Sequence, residues 1–64
     1  MDKDKIGKTL RELRGTKSQR EVAEAVGITA MAVSLYESGE RIPRDEIKMK
    51  LAQYYGVPVS IFFA

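Results

Sequence analysis

The reactive side chains in this chain are few, and their types narrow the chemistry at once. Among its 64 residues there is no cysteine and no histidine. Disulfide staples, zinc fingers and cysteine- or histidine-based catalysis therefore fall away. Asp45-Glu46 is the one adjacent carboxylate pair, and it reads as a helix-start pair that favours the positive end of a helix dipole. No glycine-rich phosphate loop occurs, and a chain this short has little volume for a pocket, so no enzyme, cofactor or small-molecule substrate is expected. What remains is cationic and hydrogen-bonding chemistry. Residues 1–20 carry seven Lys/Arg (Lys3, Lys5, Lys8, Arg11, Arg14, Lys17, Arg20) against Asp2, Asp4 and Glu12. Residues 21–40 carry four Glu and no basic residue, and residues 41–64 carry Arg41, Arg44, Lys48 and Lys50 against Asp45 and Glu46. Two basic flanks bracket an acidic middle. The net charge of +2 is a mild bias towards an anionic partner.

These groups must be positioned by helices, because the hydrophobic periodicity is helical throughout and no strand alternation is present. The spacing predicts a first helix from about Asp4 to Arg14, with Ile6, Leu10 and Leu13 inward. A second begins at Ser18, where Ser18 and Glu21 form a capping-box pattern. Val22, Ala23 and Val26 make its inner face, and Gly27 is its left-handed stop. Thr29 is a good N-cap for a third helix, Ala30 to about Ser38, with Val33 and Tyr36 inward and Gly39 as its stop. A fourth starts at Arg44 or Asp45 and runs to Tyr55, burying Ile47, Leu51, Ala52 and one of Tyr54 and Tyr55. A short fifth helix, Pro58 to Phe63, closes the core with Ile61 and Phe62. The expectation is one all-α domain over residues 1–64, burying only about 60% of its unfolded surface. No apolar run nears the roughly 18 residues of a membrane span. The charged start MDKDKIGKTL is unlike a signal peptide, so a cytoplasmic protein is expected.

The second and third helices, joined by a tight turn at Gly27, are the elements of a helix-turn-helix. The segment SQREVAEAVGITAMAVSLYESGERIP resembles the phage-repressor and Cro type of that motif, also called the xenobiotic-response-element family. The resemblance is carried by Ser18-Gln19, Ala23, Gly27, Glu37-Ser38-Gly39 and Arg41-Ile42-Pro43, with LRELR upstream and LAQYYGVPVSIFF downstream. It extends over residues 5–63, although the loop Gly15-Thr16-Lys17 is shorter than usual in the family. It implies a compact five-helix, repressor-like domain that binds double-stranded DNA, with residues 29–38 in the major groove and residues 18–26 across the backbone. It implies phosphate contacts from Ser18, Gln19, Thr29, Arg41 and Arg44, and an ion pair between Arg14 and Glu37 that fixes the angle of the recognition helix. Lys3, Lys5 and Lys8 are further phosphate candidates.

The base-reading positions that the resemblance implies are Ala30, Met31, Ser34 and Leu35, and these depart from the family habit of Gln, Arg, Lys or Asn. Segment 27–36 has no charge. Two readings stay open. Either thymine methyls and DNA shape are read, or this face meets protein, as in an antitoxin-like interaction module. Phe62 and Phe63 are adjacent, so one helix face does not bury both. A homodimer through Tyr54, Tyr55, Ile61 and Phe63 is expected, the alternatives being that the natural chain is longer or that both rings tuck into one core.

Overall fold

Short-range side-chain capping explains where the first three helices start. In the computed structural model, which describes residues 2–62, four α-helices precede one 3-10 turn. Helix α1 spans Lys3–Arg14, and the Asp2 carboxylate caps it by accepting from the amides of Asp4 and Lys5 at 3.0 and 3.3 Å. Helix α2 spans Gln19–Val26, and the Ser18 hydroxyl accepts from the Glu21 amide at 3.0 Å. Helix α3 spans Ala30–Ser38, and Thr29 Oγ1 accepts from the Ala32 amide at 3.0 Å. Helix α4 spans Asp45–Tyr55, so Arg44 is its N-cap, and no side-chain oxygen caps it. Its first turn carries Asp45 and Glu46 beside the exposed amides.

Gly27 makes the turn between α2 and α3. Its φ of 83° and ψ of 33° lie in the left-handed region, and the amides of Gly27 and Ile28 both donate to the Ala23 carbonyl, at 2.8 and 2.9 Å. Nothing lies within 4 Å of where a Cβ would stand at Gly27, so the requirement there is conformational and not steric.

The core gathers Ile6, Leu10, Val22, Ala23, Val26, Val33, Tyr36, Leu51, Ala52 and Phe62. Helix α1 packs chiefly on α3, α2 packs on both α3 and α4, and the 3-10 turn packs on α4. Among the described residues no strand occurs, and no helix is long and apolar enough to cross a membrane.

Several expectations need correction. The fifth helix is a 3-10 turn, Val59–Phe62, and Phe63 lies outside the described residues. With about three residues per turn, adjacent side chains point a third of a circle apart. Phe62 is therefore buried, while Ile61 is 37% exposed and does not close the core. Leu13 and Ile47 are half-buried and pack against the edge of the core. Tyr54 and Tyr55 are both half-buried, because their rings meet edge to face at 5.1 Å and share the boundary. Lys48 is buried at 2% exposure, with its ammonium 3.9 Å from Asp45. Its place is explained by Leu51 and Ala52, three and four residues on, which put its aliphatic stem on the inner stripe.

Candidate nucleic-acid interface

Helix α3 divides sharply between two sides. Val33, Tyr36 and Glu37 are buried, whereas Ala30, Met31, Ser34 and Ser38 are exposed. Met31 is the most exposed of the large apolar side chains, at 73%. Leu35, placed by sequence beside Met31 in one apolar patch, is half-buried at the edge of that face. The outward surface is thus made by Ala30, Met31, Ser34 and Ser38, and Leu35 contributes only a margin.

The inner side of α3 is held by a polar cluster centred on Glu37. Its carboxylate accepts from Arg14 Nε at 2.7 Å and Arg14 Nη2 at 3.1 Å, a two-pronged ion pair. The carboxylate side chain is only 4% exposed. Gln19 Nε2 adds a third bond to Glu37 Oε1 at 3.1 Å, and Arg14 Nη1 donates to the Lys17 carbonyl at 2.6 Å. The hydrogen bond to Glu37, opposed by partial burial and helped by its charge, holds the Arg14 guanidinium above its usual pKa. This cluster ties α1, the loop after it, the start of α2 and the end of α3 into one unit.

Gln19 therefore has one amide hydrogen committed to Glu37, and the second is left for an outside acceptor. Ser18 and Thr29 spend a lone pair on capping, and each hydroxyl keeps a hydrogen to donate. The first amides of α2, at Gln19 and Arg20, lack acceptors within the helix, as at any helix start. Arg41 and Arg44 are exposed, and neither has an ion-pair partner among the described residues. Arg41 is drawn against the end of α3 because its amide, with that of Glu40, donates to the Leu35 carbonyl, at 3.3 and 3.0 Å. The two arginines line an open groove with Tyr36, Ile42, Glu46 and Ile47. Asp4 lies against Gly39, so the N-terminus of α1, with exposed Lys3, Lys5 and Lys8, stands at the same end of α3. Tyr54 is taken up by Lys17, whose ammonium bonds its hydroxyl at 3.2 Å and sits 4.6 Å from the ring centre.

Three residues shape this arrangement without having been singled out from sequence. Gly7 is buried against α3, and a Cβ there would stand 2.5 Å from the Glu37 carbonyl oxygen and 2.7 Å from that of Tyr36. Arg11 Nη2 donates to the Glu37 carbonyl at 3.3 Å, and Lys48 fills core space under α4. A glycine inside an otherwise helical stretch was a readable sign of close backbone approach. Lys48 had a weaker sign in its apolar i+3 and i+4 neighbours, and Arg11 had none.

With an outward helix braced from behind and edged by free arginines, the class follows. Residues 8–62 match the helix-turn-helix family, and the chain belongs to that family in its phage-repressor and Cro form, a family of DNA-binding transcription regulators. It is similar to the cryptic phage CTXphi transcriptional repressor RstR of Vibrio cholerae, at 38% identity over 53 residues. That match covers 80% of this chain and 48% of the relative, so the chain spans about half the length of the protein it resembles.

Proposed function

We propose that this chain binds double-stranded DNA sequence-specifically as a small cytoplasmic transcriptional repressor, with α3 lying in the major groove. The observation that carries the reading is the two-sided character of α3, with Met31 73% exposed on one side and Glu37 locked into the interior on the other. A helix presented in this way enters a groove as a rigid rod. Gln19, Arg41, Arg44, the hydroxyls of Ser18 and Thr29 and the first amides of α2 grip the phosphates on either side. Ala30, Met31, Ser34 and the edge of Leu35 meet the bases. The family membership and the repressor it resembles support the same role.

The protein acts as a homodimer, joined through the region of Tyr54, Tyr55 and Ile61. The exposed Val59 and Ile61, both in the last turn, supply apolar area for that contact. Two-fold pairing sets half-sites about 34 Å apart. Selection from a random duplex pool, followed by titration in increasing salt, tests the function. The expected result is an enriched sequence bound far more tightly than random DNA, with log K falling by about 0.9 per neutralised phosphate for each unit of log salt. Equal weak binding to every duplex at about 0.15 M salt overturns the reading. A partner protein captured through Met31 and retained after Arg41→Ala with Arg44→Ala points instead to an interaction module.

A further inference from the structure

We propose that the outward face of α3 reads thymine by its 5-methyl group, so that the preferred duplex presents thymines to Met31 and Ala30 and no guanine clamped by paired hydrogen bonds. The inference rests on the DNA-binding reading above and specifies its ligand. Paired recognition of guanine or adenine edges is done by Arg, Lys, Asn or Gln. None of these occurs in residues 21–40. The polar side chains that do occur along α3 are largely occupied. Glu37, the type that accepts from cytosine N4, is bound by Arg14 and Gln19 with its side chain 4% exposed. Ser38 Oγ donates to the Leu35 carbonyl at 3.1 Å and lies 2.9 Å from the Glu40 carboxylate. On the outward face Ser34 keeps an exposed hydroxyl with no bond inside the molecule among the described residues, and a lone hydroxyl discriminates little between bases, while Tyr36 is turned to the buried side of the helix.

The rest of the face is aliphatic carbon and a thioether. Met31 is flexible and polarisable, suited to an apolar contact of irregular shape. The thymine methyl is the one apolar feature a base edge offers in the major groove. DNA is the fitting occupant because the uncharged outward face of α3 is edged by positive charge, with Arg41 and Arg44 exposed beyond its C-terminal end. Phosphates flank base edges in the same pattern.

The test uses the whole chain and a duplex selected from a random pool. Each thymine in the selected core is replaced by deoxyuridine, which deletes one methyl and leaves every hydrogen-bonding group in place. At least one replacement is expected to weaken binding about fourfold, the worth of one buried methyl. Met31→Ala, at a mostly exposed position, is expected to weaken the thymine duplex about tenfold and the deoxyuridine duplex clearly less. Arg41→Ala is the contrast, weakening selected and random DNA alike and lowering the salt slope by about one. If all deoxyuridine duplexes bind as well as the parent, or Met31→Ala leaves the selected duplex unaffected, the methyl reading is overturned while DNA binding stands. A selected guanine whose 7-deaza replacement abolishes binding overturns it too. Failure to enrich any duplex removes both readings together.

Discussion

Glu37 is a buried carboxylate whose position depends on three donors from outside its own helix. Arg14 supplies two and Gln19 the third. Removing Arg14 leaves a charge in the interior with a single side-chain donor, and breaking such pairs costs about 3–5 kcal/mol. A domain of this size has a stability of about the same magnitude. Arg14→Ala is therefore expected to be largely unfolded at 25 °C, with most of its helical circular dichroism lost. Gln19→Ala removes one charge-assisted bond and is expected to cost about 1.5 kcal/mol, read as a lower urea midpoint with an unchanged slope. Tyr55 offers a pH-dependent counterpart. Burial, with a contribution from the Glu37 charge, pushes its phenol up to about 12 from the usual 10. The folded chain thus holds that proton more tightly than the unfolded chain does. The associated stability is complete below about pH 10 and is lost as pH rises towards 12. Urea midpoints measured from pH 9 to 12 are expected to fall in that window, and to fall less in Tyr55→Phe.

At the scale of the elements, two glycines carry different burdens. Gly27 holds a left-handed turn in open space, so Gly27→Ala is expected to cost about 1–2 kcal/mol of backbone strain and leave α3 where it is. Gly7 is the place where α1 touches the carbonyls that end α3. Backbone does not yield as a flexible side chain does, so Gly7→Ala must part the two helices. The expected cost is about 2 kcal/mol, after the better helix propensity of alanine is allowed for. The two variants separate cleanly in DNA binding. Gly27→Ala loses affinity only in proportion to its unfolded fraction. Gly7→Ala loses more, because the recognition helix is displaced, and titration under conditions where both variants are folded measures the difference.

For the molecule as a whole, charge placement matters more than net charge. The four Glu in residues 21–40 suggest an acidic middle, yet Glu37 is neutralised inside and Glu24 pairs with Arg20 at 3.5 Å across the surface of α2. The basic groups at the end of α3 come from distant parts of the chain, with Arg41 and Arg44 after it and the start of α1 brought alongside through Asp4 and Gly39. Arg41→Ala with Arg44→Ala is expected to flatten the salt dependence of binding by about two phosphates, roughly 1.8 in the log–log slope, and to leave stability unaltered. Binding titrations at several salt concentrations measure the first expectation and urea denaturation the second.

The helix boundaries were legible in the sequence because capping acts over three or four residues. Ser18 and Thr29 cap α2 and α3, and Gly27 and Gly39 end them, from contacts wholly within the local chain. The inner stripes were legible for the same reason, since Val22, Ala23, Val26, Val33 and Tyr36 follow the helical repeat. Other features belong to the crossing of elements remote in sequence. The closeness of Gly7 to α3, the burial of Lys48, the bond from Gln19 to Glu37 and the half-burial of Leu35 arise where helices meet at particular angles and distances. The last turn shows the same division, because apolar residues at Ile61 and Phe62 promise burial but only the packing of the turn against α4 decides which one receives it. Local hydrogen bonds and periodicity thus determined what the helices are. Packing between them decided which side of α3 is left to face a partner.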